Sequence, residues 1–150
     1  MRNIISSAIC GIVISAALFS FSPKPGGEGF EISQGGKILT QKYGNNLEEG
    51  KSLQIQIIST EPLIVKYYHC GRVGNNRIIT VKDDQNKLLK EFHYADLKTP
   101  APSMVVPLKD ILTMKKGSSV SLKLYYSSSE LPKGRQLASI ISGNTSLAKR

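Results

Sequence analysis

The sequence predicts an all-β protein: a single antiparallel β-sandwich of about eight or nine strands with one short helical turn. β-prone runs recur along most of the chain, and clusters of turn-forming residues separate them at short intervals. Two of the runs also alternate clearly between apolar and polar residues. Short strands at this spacing are typical of sandwiches and barrels, whereas α/β proteins place long helical patterns between their strands.

The predicted strands follow one another through the middle of the chain. They are expected near Phe30–Ser33, Lys37–Tyr43, Ser52–Ile58, Leu63–Cys70, Arg77–Lys82, Leu88–Tyr94, Met104–Leu108, Ser119–Ser127 and Gln136–Ile141. The breaks between them are rich in Gly, Asn, Asp, Pro and Ser, which favour turns for different stereochemical reasons.

Periodicity assigns faces to two of these strands. In the run SLQIQII the residues Leu53, Ile55 and Ile57 share one face, and in SVSLKLYYS the residues Val120, Leu122, Leu124 and Tyr126 share one face. A period of two places these residues on the core side of a sheet and their neighbours on the solvent side. The one helical candidate, PLKDILTMKKG, is too short to be stable alone and is expected to plug one end of the sandwich.

The N-terminal residues have the order of a secretory signal. Arg2 precedes an uncharged stretch from Ile4 to Phe21, and the segment PKPGGEG follows at once. We predict a signal peptide over residues 1–22, a flexible lead-in over 23–29, the sandwich over 30–141 and a disordered tail over 142–150. The protein is then periplasmic or secreted, with no transmembrane segment after signal removal. A retained membrane anchor is the alternative, because a stretch of that length can just span a bilayer.

The charge balance favours anionic partners. The chain has 20 Lys and Arg against 11 Asp and Glu, a formal net charge of +9. Such a surface attracts lipid headgroups, acidic polysaccharides, nucleic acid or acidic proteins, although excess lysine also serves simply to keep an exported protein soluble. No nucleic-acid partner is expected, because no basic run exceeds two residues and no nucleic-acid-binding signature is present. The sequence does not indicate an oligomeric state.

His69 and Cys70 form the one adjacent histidine–cysteine pair in the chain. Neighbouring strand residues point to opposite faces, so the pair is not expected to hold a metal jointly or to act as nucleophile and base. We predict that these two residues end a strand before a glycine-containing turn.

No metal site, cofactor or catalytic residue is predicted. A copper site would need His69, Cys70, His93 and Met104 or Met114, which do not cluster in one loop as blue-copper ligands usually do. Two histidines and one cysteine fall short of a four-ligand zinc site unless a carboxylate joins them. The run DDQN, Asp83 to Asn86, lacks the spacing of a calcium loop and indicates a tight turn between strands.

Two basic segments supply the candidate ligand-binding residues. The stretch YYSSSELPKGRQ, residues 125 to 136, is predicted to be a long loop on a rigid sheet, a common form for binding loops. The stretch GRVGNNR is predicted to be a hairpin turn closed by residues 74 to 76, with an arginine on each side. Solvated charge is the alternative for both. The predicted ligand-binding residues are Tyr125, Lys133, Arg135, Arg72 and Arg77. Tyr68 and Tyr125 are the candidates for an outward-facing aromatic surface that a sugar can stack on.

Four segments carry a resemblance to known proteins: GGEGFEIS, YYHCGRVGNNRIITVKD, VPLKDIL and LKLYYSSSELPKGRQLASI. Together they resemble a set of small exported bacterial β-sandwich proteins of uncharacterised function, over almost the whole mature chain. The resemblance implies a second cysteine near the segment SMVVPLKD, where this chain has Val105 and Val106, and thus that Cys70 has lost a disulfide partner. The segment DILTMKKGSSVSLKLYY is more loosely similar to jelly-roll modules of carbohydrate-active enzymes, which implies a jelly-roll-like sandwich.

The expected function is therefore binding. We predict an exported, non-enzymatic β-sandwich that serves as a binding or envelope-accessory module for an anionic or glycan ligand. The alternative is a hydrolase that uses a pair of carboxylates, for which Glu91, Asp96 and Asp110 are candidates. A pocket lined by two carboxylates with perturbed pKa values would favour the enzyme, and a flat surface of tyrosine and lysine would favour the binding module.

Overall fold

Two β-sheets face each other across one core in the computed structural model, which describes residues 27–51, 54–57, 59–96, 98–99, 101–114 and 120–142. One α-helix, α1 (Leu108–Met114), and one 3-10 helix (Gly44–Lys51) are assigned within those ranges. The strands are β1 (Glu28–Gln34), β2 (Lys37–Tyr43), β3 (Gln54–Ile57), β4 (Leu63–His69), β5 (Arg77–Asp83), β6 (Leu88–Tyr94), β7 (Met104–Val106), β8 (Val120–Ser128) and β9 (Leu131–Ser142). The predicted all-β sandwich is confirmed.

The two sheets differ in size and order. The first has four strands in the order β2-β1-β4-β7, and the second has five in the order β3-β9-β8-β5-β6. Among the described strands, β3 departs from the predicted antiparallel arrangement, because it pairs in parallel with β9. Several connections, including those from β4 to β5 and from β6 to β7, therefore cross from one sheet to the other.

The core follows the alternation read from the sequence. Leu122, Leu124 and Tyr126 of β8 are fully buried, while Tyr125 between them is only partly so. On β4 the residues Leu63, Val65, Tyr67 and His69 form the buried set. Of the apolar residues predicted to face inward on β3, Ile55 is buried, Leu53 lies outside the described residues, and the side chain of Ile57 is not described.

A short helix forms within the segment PLKDILTMKKG, as the sequence predicts. Leu108 and Ile111 of α1 have no exposed surface, so the helix covers part of the core, and it lies beside β6. Neither helix in the described part of the chain is long and apolar enough to cross a membrane. The 3-10 helix is a departure, because the sequence GNNLEEGK predicts a simple break between strands.

The prediction of a hairpin over GRVGNNR is wrong. Strands β4 and β5 belong to different sheets, so the segment between them crosses the edge of the sandwich. A tight turn at Cys70 and Gly71 begins the crossing, with the Arg72 amide donating to the His69 carbonyl at 3.0 Å. We call residues 71–76 the crossing loop. In contrast, the turn predicted over Asp83 to Asn86 is confirmed, because β5 and β6 pair directly on either side of it.

The prediction of a long loop over residues 125–136 is also wrong. Strand β8 continues to Ser128 and β9 begins at Leu131, which leaves a two-residue turn at Ser129 and Glu130. The predicted boundaries at the ends of the sandwich shift as well. Glu28 and Gly29, assigned to the lead-in, belong to β1, and Ser142 is the last residue of β9. The predicted signal peptide and residues 143–150 of the predicted tail lie outside the described residues.

Candidate functional site

A cavity opens on the outer face of the five-stranded sheet. Its volume is about 380 Å³, within the range of roughly 300–1,000 Å³ usual for small-molecule pockets. Outward-facing residues of β5, β6 and β8 line it, together with a segment of β9. We call it the outer cavity.

Tyr125 and Lys82 form an ordered pair in the outer cavity. The Lys82 ammonium nitrogen lies 4.7 Å from the centre of the Tyr125 ring, a distance at which the negative face of the ring attracts a cation. The Tyr125 hydroxyl donates to Oε1 of Gln136 at 3.0 Å, which fixes the ring in turn. Lys133 lines the same cavity from β9. In the part of the chain that the structure describes, neither lysine forms an ion pair.

Glu91 brings an opposite charge to the other side of the outer cavity. The Thr80 hydroxyl donates to Oε1 of Glu91 at 3.5 Å, and Nε2 of His93 lies 3.9 Å from Oε2. Both side chains of that ion pair are largely exposed, so the contact is weak and solvent competes for it. Glu91 is thus a carboxylate that a ligand can reach.

An irregularity in β9 shapes the third side of the outer cavity. Tyr126 pairs with Arg135 and Ser128 with Leu131, so three residues of β9, Pro132 to Gly134, lie opposite the single Ser127. Gly134 has φ +68, and a Cβ there would lie 3.2 Å from the Tyr126 carbonyl oxygen. Only glycine fits that position without strain. Bulges of this kind re-aim side chains, and here the bulge turns Lys133 outward while Arg135 points inward.

On the opposite face of the same hairpin lies a polar network that is largely buried. Its members join the two sheets across the end of the core, and we call them the inner network: Glu28, Tyr67, His69, Tyr126, Ser128 and Arg135. The Tyr67 and Tyr126 rings stack at 4.2 Å between centroids with an interplanar angle of 13°. This stack connects a half built on Arg135 to a half built on His69.

The arginine half holds a partly buried ion pair. Nη1 of Arg135 donates to the Tyr67 hydroxyl at 2.6 Å and lies 3.0 Å from Oε1 of Glu28. The Tyr67 hydroxyl donates to the same Glu28 oxygen at 2.6 Å. Burial raises the pKa of Glu28, but the hydrogen bonds from Tyr67 and Arg135 outweigh that effect and hold the pKa below its ordinary value. Burial, reinforced by Glu28, raises the pKa of Tyr67, which therefore stays protonated.

The histidine half is enclosed. Nε2 of His69 lies 2.8 Å from the Tyr126 hydroxyl and 3.4 Å from Oγ of Ser128, and the crossing loop covers it. A Cβ at Gly74 of that loop would lie 2.8 Å from the same nitrogen. Burial lowers the pKa of His69 and raises that of Tyr126 to about 12. Ser128 is buried and accepts a hydrogen bond from the Leu131 amide, so no substrate reaches this serine–histidine pair.

The crossing loop is fixed to the β8–β9 turn. The Asn75 backbone amide and side-chain amide donate to the two Glu130 carboxylate oxygens at 2.9 and 2.8 Å, and the Ser129 amide donates to the Asn75 carbonyl at 2.8 Å. Burial raises the pKa of Glu130, but the hydrogen bonds from Asn75 dominate and lower it to about 2. The Glu130 carboxylate therefore accepts hydrogen bonds from the crossing loop and does not face the outer cavity.

The five predicted ligand-binding residues do not form one site. Tyr125 and Lys133 line the outer cavity. Arg135 belongs to the inner network, because the bulge at Gly134 reverses its direction. Arg77 is 3% exposed, and its guanidinium donates to the carbonyls of Ala95 at 2.6 Å and Pro102 at 3.3 Å, so it holds the connection between β6 and β7 and does not face solvent. Arg72 is exposed at the start of the crossing loop.

The predicted end of β4 is nearly correct, since the strand stops at His69 and the turn begins at Cys70. His69 is buried and Cys70 is exposed, so they face opposite sides as expected. The disulfide implied by the resemblance does not fit this register. Val105 pairs with Ile64, six residues from Cys70 along β4, which is a separation of roughly 20 Å at about 3.3 Å per residue. A disulfide needs Cα atoms closer than about 7 Å.

The other candidate residues, a tyrosine and three carboxylates, lie in separate parts of the fold. Tyr68 lies on the outer face of the four-stranded sheet, where its ring is 5.8 Å from that of Tyr43. Of the candidate carboxylates, Glu91 lines the outer cavity, Asp96 accepts from the Asn76 amide at 2.7 Å, and Asp110 lies in the first turn of α1. No group of three or more His, Cys, Asp and Glu side chains is placed to hold a metal ion in the described ranges.

Lys82 and Thr80 were missed as site residues, although the signal was present. They stand at alternate positions of RIITVKD, on the face opposite Ile79 and Val81, and therefore share the outward face of β5. The inner network has a comparable signal in LIVKYYH, where Tyr67 and His69 continue the inward series begun by Leu63 and Val65. Neither pattern tells which residues of other strands complete the site.

No protein-family model matches this chain, and a search of curated proteins finds no relative.

Proposed function

We propose that this protein is an exported, non-enzymatic β-sandwich that binds a ligand carrying an anionic group in the outer cavity. One observation carries the proposal: Lys82 is held over the Tyr125 ring, Lys133 lines the same cavity, and neither lysine pairs with a carboxylate of the described chain. Export is proposed from the order of basic, apolar and small residues at the N-terminus.

Lys82 is suited to binding an anion because part of the entropy cost of ordering its side chain is already met in the folded protein. A flexible lysine loses side-chain entropy when it binds an anion, but the Tyr125 ring already restrains Lys82. Hydrogen bonds that involve an ionised group are roughly twice as strong as neutral ones. The excess of basic residues over the whole chain adds long-range attraction for anions.

The alternative of a hydrolase gains no support from the outer cavity. Among the described residues that line it, Glu91 is the one carboxylate, and Thr80 and His93 are its nearest polar partners. Glycoside hydrolysis ordinarily needs a second carboxyl group across the scissile bond. A site with cations, a tyrosine and a single carboxylate favours binding over cleavage.

A double variant, Lys82→Ala with Lys133→Ala, tests the proposal. The mature protein is applied to immobilised oligosaccharides that carry carboxylate, sulfate or phosphate groups, alongside neutral ones. We expect anionic ligands to be retained, with affinity that falls as salt is raised, and the double variant to lose at least ten-fold. The charge-matched control is Lys98→Ala with Lys109→Ala, two exposed lysines that do not line the outer cavity.

Three results would count against the proposal. Retention of neutral sugars alone would exclude an anion site. Equal losses in the double variant and its control would assign binding to net charge and not to the outer cavity. Release of reducing ends from the oligosaccharides, abolished by Glu91→Gln, would identify a hydrolase.

A further inference from the structure

The outer cavity has two poles of opposite charge: Lys82 and Lys133 are positive, and Glu91 is negative. From the position of Glu91 we infer that the ligand is a sugar carrying a single anionic group, such as a uronic acid, and not a polyanion. This inference rests on the proposed function, because it takes the lysine end of the outer cavity as the anion site. Glu91 then acts as a specificity-determining residue at the other end.

The strand register sets the distance between the two poles. Gln136, Tyr125, Thr80 and Glu91 lie in one row across β9, β8, β5 and β6. Adjacent strands lie about 4.8 Å apart, so Tyr125 and Glu91 are separated by roughly 10 Å across β5. Lys82 is two residues beyond Thr80 on β5, on the same outward face, and leans back over Tyr125. The separation between the two poles therefore matches the length of one small ligand.

The polar groups between the poles suit hydroxyls. Glu91 is an acceptor that a sugar hydroxyl can satisfy, and its bond from Thr80 is long enough, at 3.5 Å, to yield to a better donor. Asn86 lines the same cavity, and its Oδ1 already accepts from Lys123 at 2.7 Å, which directs its amide hydrogens elsewhere. Leu88 and Pro132 supply apolar surface for the carbon face of a ring.

Glu91 also selects against ligands with many anionic groups. A chain of sulfates or phosphates that placed one group at Lys82 and Lys133 would bring the next toward the Glu91 carboxylate. Like charges at that range repel, whereas a hydroxyl there gains a charge-assisted hydrogen bond. Specificity of this kind combines an attraction for the correct ligand with a penalty for its competitor.

NMR titration of the mature protein with three probes tests the inference: glucuronic acid, glucose and dextran sulfate. Wild type is expected to bind glucuronic acid at least ten-fold more tightly than glucose, with shifts at Tyr125, Thr80 and Glu91. Glu91→Gln should weaken glucuronic acid binding about five-fold or more and strengthen dextran sulfate binding. The matched control, Glu61→Gln, removes an exposed carboxylate that does not line the outer cavity and should change neither.

The outcomes separate the inference from the proposed function. Binding of dextran sulfate that depends on Lys82 and Lys133, without binding of glucuronic acid, would overturn the inference and leave the anion site standing. Glucuronic acid affinity equal in wild type and Glu91→Gln would also overturn it. Unchanged binding of every probe in the Lys82→Ala, Lys133→Ala variant would remove the outer cavity, and the proposed function with it.

Discussion

Tyr125 and Tyr126 are neighbours in the chain but belong to different environments. Tyr125 lies on the outer face of the five-stranded sheet, with a lysine over its ring and open space beside it. Tyr126 lies on the inner face, stacked on Tyr67 and hydrogen-bonded to His69, with no exposed surface. The hairpin of β8 and β9 therefore carries the outer cavity on one side and the inner network on the other.

The difference between the two sides lies in how their polar groups are satisfied. Burial makes an unpaired polar group costly, so the inner network pairs Arg135 with Glu28 and Tyr67, and His69 with Tyr126. On the outer side water is available, and Lys82 and Lys133 stay without a protein ion pair in the described chain. Polar groups that the fold has not paired can be paired by a ligand, so we assign the proposed binding to the outer side and a contribution to stability to the inner side.

The largest expected contrast is between Tyr126→Ala and Tyr125→Ala. Tyr126→Ala removes a fully buried ring and should cost about 3–5 kcal/mol in the free energy of unfolding. Tyr125→Ala removes a half-buried ring and should cost no more than about 1 kcal/mol, while weakening anion binding several-fold because Lys82 loses its support. Urea denaturation and a binding titration measure the two effects on the same samples.

The milder variant Tyr126→Phe tests the same position if Tyr126→Ala does not fold. It keeps the stacking on Tyr67 and removes only the hydroxyl that contacts His69, so it should cost about 1–2 kcal/mol. Equal stability losses at positions 125 and 126 would contradict the division into an outer and an inner side.

The next contrast is between Arg135→Met and Lys133→Met. Arg135→Met leaves Glu28 with one hydrogen-bond partner fewer and should cost about 2 kcal/mol, since hydrogen bonds to charged groups contribute about 1.5–3 kcal/mol. Partial exposure of Glu28 keeps the cost below that of a fully buried ion pair. Lys133→Met should change stability by about 0.5 kcal/mol or less and lower anion affinity. Anion affinity that falls in Arg135→Met as far as in Lys133→Met would contradict this assignment.

The sequence grouped Lys133 with Arg135 because residues two apart normally share a face of a strand. The grouping fails at Gly134, whose positive φ inserts a bulge between them. The same PKG segment produced the false loop, because proline and glycine usually interrupt strands. Whether such residues end a strand or form a β-bulge within it depends on the partner strand. The sequence of one strand alone does not determine how it pairs with another.

Most strands themselves were predictable, because a half-buried strand leaves a period of two in its own residues. Strands β2 and β6 have the bounds that the sequence indicated, and the turn of DDQN lies between β5 and β6. The crossing loop was misassigned because glycine and asparagine favour a positive φ in a hairpin and in a crossover alike. The inner network could not be assembled from sequence, since it joins β1, β4, β8 and β9 across two sheets.

The buried His69 makes the free energy of unfolding depend on pH. Burial lowers the pKa of His69 in the folded protein, while Glu130 and Glu28 oppose that shift and Arg72 and Arg135 add to it. The unfolded chain therefore binds the proton more readily, and the free energy of unfolding should decline as pH falls below about 6.5. A second decline belongs to Glu28, whose lowered pKa makes its contribution disappear below about pH 4.5.

Variants assign the upper decline to His69. Gln at position 69 can still hydrogen-bond Tyr126 and Ser128 but takes up no proton, so His69→Gln should be flat between pH 7 and 5. The control His93→Gln changes an exposed histidine beside Glu91 and should keep the wild-type decline. The assignment fails if the decline persists in His69→Gln or disappears in His93→Gln.

The smallest effect is expected at Cys70, the exposed neighbour of buried His69. Cys70 and Gly71 have φ values of 51° and 81°, as the two central residues of a type I′ turn require, and Asn-Gly is the pair that such turns favour. Cys70→Asn should therefore raise the free energy of unfolding by about 0.5–1 kcal/mol, because asparagine tolerates the left-handed region better than cysteine does. Cys70→Ser keeps the strain and should leave both stability and anion binding within error of wild type. Loss of binding in a folded Cys70→Ser protein would show that the thiol takes part in binding. That result would contradict the conclusion that this turn is separate from the outer cavity.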